Sequence, residues 1–160
     1  MEDWKKELKQ LKLAYLKHKS PDFYRLSGSE KMKVKTYTDQ TTNGLTGGVY
    51  DYLKFSGHYV NRVNSQGQMR KIKGKMQFTQ GTSNQGTADL DAIIYGKPVK
   101  IEIKCKATGD RMRKDQLKEQ KRIEAAGGLY IIVTDMPSFV KWYKEFDSKQ
   151  TNAEVHAAIV

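Results

Sequence analysis

The chain has 160 residues, and its 29 lysines and arginines outnumber 18 acidic residues to give a formal net charge of +11. This length suits one domain with one core, and 38% hydrophobic and 29% charged residues exclude collagen-like and most disordered classes. One cysteine and three scattered histidines exclude a disulfide framework and a zinc site of the usual spacing. No apolar run approaches the roughly 20 residues of a membrane helix, and the first residues lack the apolar stretch of a signal peptide. We therefore expect a cytoplasmic protein that is neither secreted nor bound to a membrane.

The positive charge is concentrated in one part of the chain. From Tyr52 to Ala88 the sequence has no acidic residue. Its basic residues are Lys54, Arg62, Arg70, Lys71, Lys73 and Lys75. A stretch of this kind predicts a polyanionic partner, with nucleic acid favoured over an acidic membrane surface. We expect the phosphate contacts to come from Arg62, Arg70, Lys71 and Lys73.

Two helices are predicted in the first third of the chain. An apolar stripe at helical spacing predicts a helix over residues 3–19, and it consists of Trp4, Leu8, Leu11, Tyr15 and His18. This stripe has to be buried against the domain or against a second chain. Residues 20–37 indicate a loop, and a second apolar repeat predicts a helix over residues 42–55.

Strands follow the second helix. We predict strands over residues 59–64 and 69–78 as a hairpin around the turn 65–67, and then a loop over 80–87. The segments 89–95 and 99–106 are predicted to form a second hairpin around Gly96-Lys97-Pro98. In the segment from 99 to 106, apolar and charged residues alternate without a break, which is typical of a strand with one buried face.

The last third of the chain alternates helix and strand. We predict a helix over residues 113–126, a buried strand over 129–134 at the sheet centre and a helix opened by Pro137. The predicted inner face of the last helix carries Phe139, Tyr143 and Phe146. A helix between two strands favours a mixed sheet with helices on both faces, so the fold class is α/β. We divide the chain into an N-terminal helix and loop (1–37), a core domain (38–147) and a weakly patterned tail (148–160).

The second predicted hairpin brings charged residues of opposite sign together. Pairing about Lys97 places Asp89 opposite residue 105, near Glu102 and Lys104. Two carboxylates suit Mg²⁺, which takes oxygen ligands and keeps several waters. A neighbouring lysine can stabilise the negative charge that develops on a scissile phosphate. The pattern therefore indicates metal-assisted phosphodiester hydrolysis, although a Glu-x-Lys pair alone is most often a surface ion pair.

The motif around these residues resembles a known family. Gly86-Thr87-Ala88-Asp89, 12 intervening residues and Glu102-Ile103-Lys104 resemble the PD-(D/E)XK nuclease signature. Gln116 in the next helix and the segment Gly127-Gly128-Leu129-Tyr130-Ile131-Ile132-Val133 are similar to the virus-type replication-repair (VRR-NUC) branch. The resemblance covers residues 40–146. It implies a restriction-endonuclease-like fold with an extra N-terminal helix, and DNA cleavage with Mg²⁺ or, as a substitute, Mn²⁺, in a bacterial or phage-infected cell.

The resemblance also implies roles for individual residues. Asp89, Glu102 and the backbone carbonyl of Ile103 would bind the metal, Lys104 would be the catalytic lysine, and Gln116 would support the site. The chain has Ala88 where the motif has proline. Asn43 stands where many relatives offer a glutamate, and we assign it to DNA binding.

Several alternatives stay open. Asp91 could be a further metal ligand or a partner of a basic neighbour, and His58 a phosphate contact or a surface residue. We expect a DNA endonuclease that selects branched, nicked or junction DNA and forms a homodimer or higher oligomer if it cuts two strands. The main alternative is a basic DNA-binding module that keeps the fold without cutting. An RNA-binding protein is a weaker interpretation, because the sequence has no RRM-type aromatic motif.

Overall fold

A computed structural model of the chain describes residues 3–27, 35–63, 68–79 and 86–157. Its helices are α1 (Asp3–Lys19), α2 (Pro21–Ser27), α3 (Thr42–Phe55), α4 (Lys114–Ala125) and α5 (Met136–Ala157), with a short 3-10 helix at Lys106–Thr108. Its strands are β1 (Tyr59–Arg62), β2 (Gln68–Ile72), β3 (Lys75–Thr79), β4 (Leu90–Ile94), β5 (Lys97–Ile103) and β6 (Leu129–Val133). None of the helices in these ranges is long and apolar enough to traverse a lipid bilayer.

Four strands form the central sheet in the order β1-β4-β5-β6. The pairs β1–β4 and β4–β5 are antiparallel, whereas β5 and β6 are parallel and are connected through α4. The predicted α/β class with a mixed sheet is therefore confirmed, and the restriction-endonuclease-like topology stays a prediction. Strands β2 and β3 form a separate two-stranded sheet.

The period-two alternation in β4 and β5 divides the sheet into two faces. Buried residues of one face join the main core, which is completed by α1, α3 and α5; these strand residues are Leu90, Ala92, Ile94, Val99, Ile101 and Ile103. The opposite face carries Glu102, which contacts Gln116 of α4. Helices thus lie on both faces of the sheet, as the sequence predicts.

The apolar stripe of α1 packs against the chain's own core, except for His18 at its end, which is exposed. Trp4 is 4% exposed and Leu8 is fully buried, both in the main cluster. Glu7 on the same helix accepts a hydrogen bond of 2.6 Å from the Tyr52 hydroxyl and pairs with Lys144 at 2.8 Å. Of the two predicted ways to bury this stripe, packing against the domain is the one observed. Truncation of Leu8 to alanine would cost about 2–5 kcal/mol.

Two segments before β4 differ from the prediction. Residues 20–37 are not all loop, since Pro21–Ser27 is helical. Proline is tolerated in the first turn of a helix, and here the Ser20 carbonyl accepts the Tyr24 amide at 3.0 Å. The predicted single strand 69–78 is a hairpin of its own with a turn at Lys73-Gly74, and β1 pairs with β4 instead. The predicted turn 65–67 lies outside the described residues.

Two further predictions are corrected. The turn between β4 and β5 is Tyr95-Gly96, not residues 96–98, because Tyr95 and Gly96 both adopt positive φ and Pro98 already pairs with Ile93. Strand β6 lies at an edge of the described four-stranded sheet and not at its centre. Helix α5 ends at Ala157, so residues 148–157 continue this helix, and the division of the chain at residue 147 stays a prediction.

Candidate active site

Asp89 lies at the end of the β4–β5 ladder. The last paired residues there are Leu90 and Ile101, and this register places Asp89 across from Glu102, not from residue 105 as predicted. The Asp89 Oδ2 atom accepts a hydrogen bond of 2.9 Å from the Ile103 amide. The Asp89 carboxylate thereby takes the place of the backbone carbonyl that would continue the ladder. This hydrogen bond fixes the carboxylate at the end of β4 and β5.

The same hydrogen bond orients the backbone of Ile103. The amide and carbonyl of a strand residue point to the same side in an antiparallel ladder. Because the Ile103 amide faces Asp89, the Ile103 carbonyl faces this edge as well. The three groups that the resemblance implies as metal ligands, namely Asp89, Glu102 and the Ile103 carbonyl, therefore lie at one end of β4 and β5.

Glu102 is a buried carboxylate held by three side chains. Only 2% of it is exposed. Its Oε1 atom accepts hydrogen bonds from Gln116 and, at 2.9 Å, from the Lys104 ammonium. Its Oε2 atom lies 3.3 Å from the Tyr130 hydroxyl. The predicted trio of Asp89, Glu102 and Lys104 thus converges, and Gln116 reaches it from α4.

The electrostatics at Glu102 favour an added cation. Burial raises the pKa of Glu102 above its ordinary value, and the nearby Asp89 carboxylate raises this pKa further, while Lys104 opposes both effects. The protein alone therefore stabilises the charged form of Glu102 only in part. A positive charge between the two carboxylates would stabilise it.

The side chain of Gln116 is oriented by the start of α4. Its Oε1 atom accepts the Arg113 amide at 3.0 Å, as in a capping box. Its amide nitrogen is then free to donate to Glu102. Gly86 of the sequence motif packs against the start of α4, where a Cβ would lie only 2.7 Å from the Asp115 carbonyl oxygen. Gly86 also has a positive φ of 84°. The motif glycine thus lets the chain before Asp89 approach the N-terminus of α4.

Tyr130 is a site residue that the sequence analysis missed. It lies on β6 opposite Lys100, on the same face as Glu102. Burial, followed by the Glu102 charge, raises the pKa of Tyr130, so its hydroxyl stays protonated and can donate to that carboxylate. The sequence signal for this role was the hydroxyl of a tyrosine in an otherwise apolar strand. That signal points to Glu102 only once β5 and β6 are known to pair in parallel.

The oxygen donors match what Mg²⁺ takes from proteins. Magnesium is bound through one or two carboxylates and keeps several of its waters. Asp89, Glu102 and the Ile103 carbonyl supply a set of this kind. Within residues 3–27, 35–63, 68–79 and 86–157, no group of three or more His, Cys, Asp or Glu side chains could hold a metal ion. The fit therefore depends on the two carboxylates and the backbone carbonyl together.

The predicted phosphate-binding residues occupy two places. Arg62, at the end of β1, donates to the Asn43 side chain at 2.9 Å, so these two residues meet beside the start of α3. Lys71 and Lys73 are exposed on the separate β2–β3 hairpin. Arg70 lies on β2, and its side chain lies outside the described part of the chain.

Asp91 and His58, the two candidates left open, and the single cysteine all take structural positions. Asp91 pairs with Lys100 at 2.5 Å, in agreement with the basic-neighbour alternative. His58 contacts the Tyr143 hydroxyl at 2.8 Å and the Tyr95 ring. Cys105 is fully buried, and its thiol donates to the Asp39 carbonyl at 3.3 Å.

No protein-family model matches the chain, and no curated protein matches it significantly. Membership of the PD-(D/E)XK superfamily thus stays a prediction from the motif.

Proposed function

We propose that the protein is a Mg²⁺-dependent DNA endonuclease that selects branched, nicked or junction DNA. The observation that carries the proposal is the convergence of Asp89, Glu102 and Lys104 at one end of β4 and β5. One of the two carboxylates is buried, and the ammonium group stabilises its charge only in part. Burying charges in this way costs free energy, which makes a purely structural role a poor explanation of the site. The three groups suit a site that binds a cation and an anionic phosphate.

Asp89, Glu102 and the Ile103 carbonyl would hold the magnesium ion. When bound, this ion would polarise the scissile phosphate and supply a more acidic water as nucleophile. The protein residues keep the carboxylates in place for it. Gln116 from α4 and Tyr130 from β6 hold the two oxygens of the Glu102 carboxylate, so these oxygens are oriented before the ion arrives.

Lys104 acts on the substrate side of the same carboxylate. Its side chain is 13% exposed and its amide donates to the Val133 carbonyl at 2.8 Å, which anchors the backbone beneath it. With a phosphate at the site, the ammonium can donate to a phosphate oxygen and stabilise the charge that develops during hydrolysis. The backbone anchor and the Glu102 contact limit where this ammonium can move.

The basic surface supports DNA as the substrate. The net charge of +11 and the acid-free stretch before Asp89 give the chain many groups that can neutralise phosphates. The exposed Lys71 and Lys73 carry this charge away from the sheet, on a hairpin that can lie along a duplex. A homodimer would bring two sites to a junction, and this partner stays part of the proposal.

The test is incubation of the purified protein with linear, nicked, forked and four-way DNA, with Mg²⁺ and with EDTA. We expect cleavage only with the metal, and preferentially of the nicked or branched forms. Binding of all forms without cleavage in Mg²⁺ or Mn²⁺ would contradict the nuclease proposal and favour the non-catalytic DNA-binding module.

A further inference from the structure

A pocket of about 350 Å³ opens between α3 and β1, beside the candidate active site. Its walls combine an aromatic ring, two cations and uncharged polar groups; these include Lys35, Thr46, Tyr50, Asn61 and Arg62. The nuclease motif does not include this pocket. From its chemistry and position we infer that it receives one unpaired nucleotide of the DNA substrate, an inference that rests on the proposed function.

The pocket has the groups that a nucleotide requires. Tyr50 is half-buried in the pocket wall, and a tyrosine ring can stack on any base. Lys35 and Arg62 are exposed cations that can contact a backbone phosphate. The exposed amide of Asn61 can both donate and accept hydrogen bonds at the edge of a base.

The acidic side chain in the pocket wall is already neutralised by the protein. Asp51 accepts a hydrogen bond of 2.9 Å from the Tyr37 hydroxyl and lies 3.6 Å from the Lys35 ammonium. A further cation, Lys54, lies 5.8 Å from the centre of the Tyr50 ring. The local balance therefore stays positive and suits an anionic ligand.

Gly47 keeps the pocket open. Of the three glycines in α3, two are required by packing, because a Cβ at Gly44 would lie 2.5 Å from the Thr38 carbonyl oxygen and one at Gly48 would lie 2.9 Å from the Met136 sulfur. Among the described residues, a Cβ at Gly47 would meet only the flexible end of Lys35, at 3.3 Å. Glycine weakens a helix, and at Gly47 no close backbone contact among the described residues explains it. Its absent side chain instead leaves space that the pocket uses.

The pocket and the carboxylates lie at the same end of the sheet. Arg62 pairs with Leu90, the residue next to Asp89, and the Val63 amide donates to the Asp89 carbonyl at 2.9 Å. β1 and β5 are separated by two strand spacings, roughly 10 Å. α3 and Glu102 lie on opposite faces of the sheet, so a DNA strand cut between Asp89 and Glu102 would have to pass around this end of the sheet for a nearby nucleotide to reach the pocket.

This placement would produce a preference for interrupted duplexes. A paired base is stacked inside the helix and has to be extruded before a protein pocket can hold it, which costs free energy. A nucleotide at a gap, a fork or a junction avoids most of that cost. The pocket would therefore bind such DNA more tightly than fully paired DNA.

The test uses the full chain in Ca²⁺, so that binding is measured apart from cutting. The probes are a fully paired duplex and the same duplex with one unpaired 2-aminopurine. We expect wild type to prefer the second probe by about tenfold or more, as for one base–aromatic stack, with a change in 2-aminopurine fluorescence. Gly47→Leu, which fills the pocket, and Tyr50→Leu should abolish the preference, whereas Gly47→Ala and Tyr50→Phe should keep it.

The variants separate pocket filling from folding. Gly47→Ala and Gly47→Leu both remove the helix-weakening glycine, but only leucine fills the space. Equal affinity of wild type for the two probes, or an unchanged preference in both Gly47→Leu and Tyr50→Leu, would overturn the inference. If wild type has the preference but cuts no DNA in Mg²⁺, the proposed function fails and the nucleotide pocket stands. If wild type cuts DNA without the preference, the proposed function stands and the nucleotide pocket fails.

Discussion

The β2–β3 and β4–β5 hairpins have the same turn and opposite chemistry. Each reverses direction through two residues with positive φ, Lys73-Gly74 in the first and Tyr95-Gly96 in the second, as type I′ turns require. The β4–β5 hairpin lies in the four-stranded sheet and ends at a buried carboxylate. The β2–β3 hairpin forms its own two-stranded sheet and carries exposed lysines.

The difference lies in the residues that flank the turns. In β4 and β5, apolar residues occupy every second position and bind the hairpin to the core, which makes a rigid support for Asp89 and Glu102. The β2–β3 hairpin has no acidic residue and many cations, so burial would be costly and contact with phosphates is favourable. We infer that one hairpin performs the chemistry and the other binds the substrate.

The largest effect is expected from the β4–β5 hairpin. Asp89→Asn, Glu102→Gln and Lys104→Ala should each lower cleavage by several orders of magnitude, because each removes a metal ligand or the ammonium group. DNA binding and the circular dichroism spectrum should stay as in wild type. Lys100→Ala is the matched control, since Lys100 lies two residues from Glu102 on the same face but pairs with Asp91. A Lys100→Ala variant as inactive as Lys104→Ala would contradict the assignment.

Charge removal in the β2–β3 hairpin should act on binding alone. Replacing Arg70 and Lys71 with alanine should weaken DNA binding for all sequences and reduce the log–log salt slope by about 0.9 for each phosphate that is no longer neutralised. The cleavage rate at saturating enzyme should not change. The control replaces Lys9 and Lys17 of α1, which are exposed and give the same charge change elsewhere. Equal slopes in the two double variants would place the DNA surface outside this hairpin.

The two turn glycines should have different consequences for stability. A Cβ at Gly96 or Gly74 would meet no other atom of the residues that the structure describes, but both have positive φ, so alanine is strained there by about 1–2 kcal/mol. Gly96→Ala should lower the melting temperature of the whole domain, since β4 and β5 belong to the core sheet. Gly74→Ala should leave this temperature unchanged and weaken DNA binding. Thermal unfolding of both variants distinguishes the hairpins, and equal melting temperatures would remove the distinction.

The smallest effect concerns pH near the Tyr95-Gly96 turn. His58 contacts Tyr95 and Tyr143, and burial lowers its pKa below the ordinary 6.5, against an opposing effect of Asp147. The unfolded chain then binds the proton more readily, so stability is lost as the pH falls through 6.5 towards the folded pKa. His58→Gln should reduce this part of the pH dependence. Parallel melting curves of wild type and variant between about pH 7.5 and 5 measure it, and identical slopes would contradict it.

The sequence was sufficient for elements with a clear period. The α3 bounds and the alternation of β5 follow from spacing alone, because one face of each element has to be apolar. The same alternation put Glu102 and Lys104 on one face. These local rules also placed Asp89 near them, despite an error in the register.

The wrong predictions concern the strand register, the strand order and one turn, which the local spacing of residues does not determine. The register of β4 and β5 depends on a positive φ at Tyr95. Because tyrosine rarely adopts positive φ, the turn was predicted at the wrong residues. The edge position of β6 and the role of Tyr130 depend on strand order, which is set by packing. The turn between β2 and β3 likewise depends on positive φ at Lys73, which the pattern of residues 69–78 does not indicate.

One measurement tests the central proposal most directly. Wild type and Asp89→Asn are bound to branched DNA in Ca²⁺, which is expected to position the phosphate poorly, and excess Mg²⁺ is then added while product is followed over time. We predict that wild type releases cleaved DNA after the addition and that Asp89→Asn, bound equally well, releases none. Wild type that stays bound and uncut in Mg²⁺ and in Mn²⁺, or Asp89→Asn that cuts as fast as wild type, would contradict the assignment of this site as a magnesium-dependent nuclease.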